Sequence, residues 1–371
     1  MVVMALDHTR DFFHFGAVHH VDALDLGRTT PWLFFTRFAT HYCAPAFCFL
    51  AGTGVFLSGA RGRSKRELTG FLLTRGLWLV LMELTFLTWA WTFRFDYHVI
   101  PGRVIWMLGW SMVVLAGLIH LPLPAVAGIG LVLVFGHNAL DGLAPASLGR
   151  WGWLWQMLHV QGRFELGAGF VLRVGYPLIP WIGVMAAGYA FGAVLALEPE
   201  RRRRWLWRLG LGAGALFLAL RGLNLYGDLR PWSVQPRPGF TLLSFLDCTK
   251  YPPSLDYLLM TLGPSFLLLA WFDHGTPPRL KPFLVFGRVP MFYYLLHLPL
   301  IHALALGLNY LRFGGGDYSY YLPGEPPAAA GVGLVGVYLV WLLVVVSLYP
   351  VCRWFADLKR HRRDLTWLSY F

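Results

Sequence analysis

The sequence predicts an all-α polytopic transmembrane bundle of about ten helices with both termini cytoplasmic. Three observations lead there. Of 371 residues, 57% are hydrophobic and only 13% charged, and the mean hydropathy is +0.54, whereas a soluble domain is roughly 45–50% apolar. The apolar residues fall into stretches that each approach the roughly 17–25 residues a helix needs to cross the hydrocarbon. The basic residues collect in connections that share one side if the stretches alternate across the bilayer.

In chain order the stretches are 1–17, 39–58, 71–92, 104–120, 122–138, 176–197, 204–221, 256–273, 282–306 and 329–351. The first begins at Met1 with no polar cap before it, so the chain start reads as truncated. A tight turn at Leu121–Pro124 separates the fourth from the fifth. Arg61, Arg63, Lys65 and Arg66, then Arg201 to Arg204 and Arg208, then Arg279 and Lys281, then Arg353, Lys359, Arg360, Arg362 and Arg363 mark the cytoplasmic face. The opposite connections, 18–38, 93–103, 139–175, 222–255 and 307–328, are longer and rich in Trp, Tyr, Pro and Gly, as in RWGWLW at Arg150–Trp155 and YGDLRPWSVQPRP at Tyr226–Pro238. They read as interfacial caps with aromatic anchors, and loops of this kind carry function more readily than short basic turns. Residues 1–351 therefore form a single transmembrane domain and 352–371 a basic cytoplasmic tail on the anionic leaflet.

The net charge of +12 is a topology signal and not a nucleic-acid footprint, which would need a basic surface interleaved with exposed aromatics on a soluble fold. Cys43, Cys48, Cys248 and Cys352 form no CxxC pair and have no zinc-like histidine spacing, so no metal site is expected and the thiols read as small apolar packing groups. The N-terminal stretch carries Asp7, His8, Arg10 and Asp11 where a cleavable signal would carry small residues, so it stays in the membrane.

Ionisable groups inside apolar spans point to chemistry, because they are costly there unless paired or hydrated. Asp7 and Asp11 are i,i+4, while His8 and Asp11 are i,i+3, so a carboxylate can orient the imidazole as a general base; a self-neutralising packing cluster is the alternative. If the helix exits near Ala17, His8 lies about 13 Å below the non-cytoplasmic surface. In FGRVPMFYYLLHLPLIH, Phe286–His302, the chain descends from the other face, with Arg288 about 8 Å and His297 about 21 Å deep. His297 and His8 can then meet in the outer half of the bilayer, although a structural hydrogen bond explains His297 equally. His302 reads as interfacial. Glu83, about 15 Å into its stretch, needs a cation partner, Arg288 or a histidine, or else a proton. Arg75 and Arg288 lie toward the basic side and can clamp phosphate oxygens. On the outer side, Arg37 and His41 open the second stretch, and Lys250–Tyr251, stiffened by Pro252–Pro253, stand over the vestibule, as acceptor ligands or as simple interfacial anchors.

LDHTRDFF, FLAGTGVFLSG, LLTRGLWLVLMEL, YPLIPWIGVMAAGYAFG, TKYPPSL and GRVPMFYYLLHLPLIH together resemble the heparan-alpha-glucosaminide N-acetyltransferase catalytic-domain family, in its bacterial branch, over nearly the whole chain. The resemblance implies a transmembrane acyltransferase that moves acetyl groups from cytosolic acetyl-CoA to a sugar acceptor across the membrane, with a histidine taking part. Related surface-polysaccharide acyltransferases carry an Arg-Gly pair about ten residues before that histidine. His8 matches the histidine, and the arginine would precede Met1. Aligning instead to the lysosomal enzyme places the histidine near His19, so the choice lies between His8 and His19, with His8 favoured by its carboxylates and depth. In the expected reaction His8, oriented by Asp7 or Asp11, deprotonates the acceptor or is itself acylated. His297, Lys250, Tyr251, Arg37, His41 and Glu83 serve the acceptor or its polarisation, and Arg75 and Arg288 the donor phosphates. Lipid and a glycan or lipid-linked acceptor are the expected partners, an oligomer is compatible, and a bacterial inner (plasma) membrane is the expected location. The rival reading is a proton-coupled transporter or flippase, which would favour paired Gly/Pro helix breaks in two matching halves; no such pair is visible.

Overall fold

The computed structural model describes residues 1–319, 325–362 and 364–371. Arg363 of the basic tail and residues 320–324 of the 307–328 connection lie outside the described residues. The chain is an all-α polytopic membrane bundle. Among the described residues, eight helical segments are long and apolar enough to cross a membrane: Pro31–Ala60, Lys65–Thr92, Leu123–Leu140, Leu178–Leu195, Pro199–Leu223, Leu255–Phe272, Pro290–Phe313 and Leu334–His361. They correspond to eight of the ten expected stretches. The other two are helical but shorter, Val2–Phe13 and Val104–Leu118.

Two compact units make up the chain. One holds Met1–Cys43, Trp89–Phe95 and Thr276–Phe371; the other holds Ala44–Thr88 and Asp96–Gly275.

In the first unit, the Val2–Phe13 helix ends because His14 turns extended (φ −70°, ψ 133°), after which Phe15–Val18 makes one more turn. The break leaves backbone groups that the following turn cannot serve, and the segment before the last helix serves them: Phe15 N–H donates to Val332 O at 3.0 Å and Val332 N–H to Phe13 O at 2.7 Å. Gly331 makes this approach feasible. Its φ is +92°, and a Cβ there would stand 2.6 Å from Phe15 Cα. Arg312, in the last turn of the Pro290–Phe313 helix, secures the same strap by donating to Gly331 O and Ala329 O at 2.8 and 2.7 Å.

In the second unit, small residues let helices touch backbone to backbone, the usual substitute for hydrophobic driving force between spans. A Cβ on Gly188 would overlap Phe49 O, and Thr53 Oγ1 uses the resulting proximity to donate to Gly188 O at 2.9 Å. The Lys65–Met82 helix starts on a capping box of Ser64 and Glu67 and passes into a π-helical turn at Glu83–Leu87. Buried Arg221 donates to the carbonyls of Arg230, Phe245, Asp247 and Ser244 at 2.7–3.1 Å. It thereby closes the C-terminal end of the short Phe240–Leu246 helix and fixes the 222–255 connection. Part of two connections read as caps is a small sheet: Val99–Gly102 lies parallel to Phe170–Val174, which pairs antiparallel with Gly162–Gly167.

Candidate active site

Within the first unit, the Val2–Phe13 and Pro290–Phe313 helices bring two imidazoles together across 289 residues of sequence. His8 Nδ1 lies 2.9 Å from His297 Nε2. The ring planes differ by 8° with centroids 5.0 Å apart. Given the short N···N distance, the rings sit edge to edge in nearly one plane and share a hydrogen bond along it, not a face-to-face stack. His8 is 8% exposed and His297 0%. The other nitrogen of His297, Nδ1, is 2.8 Å from Tyr293 O, one turn back on its own helix. Trp91 and Tyr294 present edges to His8 at 5.0 and 5.7 Å, closing apolar walls around the pair.

Helix geometry sorts the remaining charges of the first stretch. At about 100° per residue, Asp7 and Asp11 point about 40° apart, and Arg10, about 60° from Asp7 on the other side, reaches both carboxylates with its long side chain. Arg10 donates to Asp11 at 2.5 Å and to Asp7 at 3.2 Å. Arg37, from the Pro31–Thr40 helix, donates to both oxygens of Asp7 at 2.6 and 2.5 Å. The sequence assigned the orienting of His8 to Asp7 or Asp11. His8 Nδ1 is bonded to His297, and both carboxylates are bonded to guanidinium groups, which bind them more strongly than an imidazole N–H does. Arg37, expected at an acceptor, is the partner of Asp7.

The depth of His297 also needs revision. The expected helix ran unbroken from Phe283, but Leu284–Arg288 is a separate short helix and Val289 leaves the helical region at φ −132°, ψ 53°. Pro290 explains the break, since it disfavours helical backbone in the residue before it and itself starts a new helix well. Arg288 is therefore an exposed residue at the end of a short helix, and His297 lies about 10 Å along the new helix. His302, read as interfacial, is 0% exposed, with Nδ1 3.0 Å from Ala90 O and Nε2 2.8 Å from Asp317. It clamps the helix to two other segments of the unit.

His41 is buried in the same unit, at the C-terminal end of Pro31–Thr40. His19, the rival to His8, follows the Phe15–Val18 turn and stacks at a tilt on Phe15, and its buried Nε2 has no hydrogen-bond partner among the described residues.

Arg75, Glu83, Lys250 and Tyr251 belong to the second unit. Glu83 is fully buried, but its partners are the amides of Ile105 and Trp106, at 3.1 and 3.4 Å, which open the Val104–Leu118 helix. The nearby cation is Arg103, at the N-cap of that helix, and not Arg288 or a histidine; the helix N-terminus adds its amides to that charge. Arg75 is half-buried against Phe71. Lys250 is 8% exposed with its ammonium 5.3 Å from the Tyr251 ring centre, and Tyr251 meets Tyr176 hydroxyl to hydroxyl at 3.2 Å.

Reading the sequence missed Trp91, Tyr293, Tyr294 and Asp317. Tyr293 and Tyr294 carried a usable signal, standing one turn before His297 in the same apolar run; Trp91 and Asp317 depend on tertiary contacts alone. Cys48, Cys248 and Cys352 are buried free thiols, and burial pushes the Cys248 thiol, in the 222–255 connection, well above its usual range. Among the described residues no group of three or more His, Cys, Asp or Glu is arranged to hold a metal ion.

Residues 1–226 match the family model described as heparan-alpha-glucosaminide N-acetyltransferase, catalytic. No curated protein matches the chain. The matched region contains His8, His19, Arg37, His41, Arg75 and Glu83, whereas Lys250, Arg288 and His297 follow it.

Proposed function

The chain belongs to the heparan-alpha-glucosaminide N-acetyltransferase catalytic family, a membrane acetyltransferase family whose donor is acetyl-CoA, and from that premise we propose that it moves an acetyl group from cytosolic acetyl-CoA to a hydroxyl or amine of a glycan or lipid-linked acceptor on the far side of a bacterial inner membrane. The observation that carries this reading is the buried His8–His297 hydrogen bond of 2.9 Å between helices from the two ends of the chain.

Two routes use the same imidazole. In direct transfer, His8 takes the proton of the acceptor hydroxyl or amine as that atom attacks the thioester carbonyl; the C–S bond breaks and the proton passes to the leaving thiolate. In the covalent route, a ring nitrogen of His8 attacks the carbonyl, the C–S bond breaks and coenzyme A leaves as the thiolate. The acceptor then attacks the acetyl-imidazolium, and its proton passes through the released ring to the thiolate. Arg288, exposed at the end of its short helix in the same unit as His8, is suited to the donor's phosphates. Lipid surrounds the spans, and the reading is compatible with an oligomer.

A single-turnover assay with acetyl-labelled coenzyme A and the purified protein in lipid tests this. Label should leave coenzyme A when a glycan acceptor is present, and on the covalent route it is trapped on protein when acceptor is withheld. Substrate-dependent proton flux with coenzyme A thioester left intact would favour the transporter instead.

A further inference from the structure

We propose that His297 is a positioning residue that holds His8 in its Nδ1–H tautomer, so that Nε2 of His8 is the atom that receives the acceptor's proton or the acetyl group. The inference rests on the acyltransferase reading for its chemistry, but its structural half stands on hydrogen-bond counting alone.

A backbone carbonyl can only accept. The 2.8 Å contact to Tyr293 O therefore places a hydrogen on His297 Nδ1. A neutral imidazole carries one N–H, so His297 Nε2 is left with its lone pair. That lone pair faces His8 Nδ1 at 2.9 Å, and His8 must supply the hydrogen from Nδ1. The lone pair of His8 is thereby assigned to Nε2, on the opposite edge of the ring. The near-coplanar arrangement, 8° between ring planes, suits in-plane donation from one imidazole to the next. The chain of constraint runs from a helix carbonyl through one histidine to the reactive atom of another, with Tyr293 O in the orienting part that a carboxylate takes in a Ser-His-Asp triad.

This assignment gives the two histidines unequal duties. In direct transfer His8 Nε2 gains the acceptor's proton while Nδ1–H stays bonded to His297, and the same Nε2–H then protonates the thiolate of coenzyme A. In the covalent route Nε2 forms the bond to the acetyl carbon as the C–S bond breaks and the thiolate leaves; the acetyl-imidazolium keeps its Nδ1 hydrogen on the bond to His297 Nε2, and when the acceptor displaces the ring the freed Nε2 takes the acceptor's proton and passes it to the thiolate. His297 touches neither donor nor acceptor in either case.

Nitrogen-15 NMR of the detergent-solubilised protein with labelled histidine, with His8 assigned by its loss in His8→Ala, reads the tautomer directly and needs no substrate. The expected wild-type spectrum has His8 protonated at Nδ1. His297→Gln, whose side-chain oxygen can still accept from Nδ1–H, should keep that tautomer and most of the rate. His297→Leu should mix the tautomers and lower kcat by roughly 10²–10⁴-fold, with the KM for acetyl-CoA little changed. A wild-type His8 protonated at Nε2, as an imidazolium at His297 would impose, overturns the proposal. So does a His297→Leu protein with wild-type tautomer and rate. A wild-type protein that shows Nδ1–H yet never consumes acetyl-CoA supports the positioning role and removes the acetyltransferase reading, so the two failures are told apart.

Discussion

Replacing His8 by alanine should lower acetyl transfer by at least about 10²-fold while leaving the protein folded, because a positioned imidazole contributes about 10²–10⁴-fold by moving protons alone and more if it is itself acylated. The fold should survive because the change removes a single ring, bonded to His297, from a pocket walled by Trp91 and Tyr294. The neighbouring charges remain paired among themselves. The measurement is acetyl-CoA consumption alongside the thermal unfolding midpoint. Equal turnover in His8→Ala, with His19→Ala inactive, would move the catalytic role to His19.

Arg10→Met should behave in the opposite way, costing stability first. Arg10 and Asp11 are 6% and 4% exposed, and their oxygen and nitrogen approach to 2.5 Å. Removing one member of a buried pair destabilises by about 3–5 kcal/mol, since the remaining charge keeps its desolvation cost without its partner. Asp7 is also held by Arg37, so the loss falls chiefly on the Arg10–Asp11 contact. Pairing Arg10→Met with Asp11→Asn should recover most of the loss, because a neutral amide replaces a buried carboxylate that has lost its guanidinium. The check is unfolding of the solubilised protein for the two singles and the double; a double variant no better than Arg10→Met would show that the arginine acts through packing.

Much of the fold was legible because span length and apolar content are averages over about 20 residues and tolerate local error. The failures share a local cause. Pro290 splits what hydropathy reads as one helix and leaves Arg288 exposed. The His14 break is invisible to hydropathy because its compensation comes from Val332, far along the chain. For the site, approximate depth along two helices was enough to suggest that His8 and His297 meet, although the depth assigned to His297 assumed an unbroken helix. Partner choice was not legible. Asp7, Asp11, Arg37 and Glu83 were each plausible ligands or orienters by charge, and which group faces which is decided by helix rotation and by amides such as those of Ile105 and Trp106, which leave no trace in composition.

The central claim is that His8 and His297 act as one unit, and a double-mutant cycle on acetyl transfer tests it most directly. If His297 works only through His8, then His8→Ala, His297→Leu and the double variant are related non-additively: once His8 is gone, losing His297 costs almost nothing further. Losses that simply multiply, with His297→Leu as harmful in the His8→Ala background as in the wild type, would contradict the account.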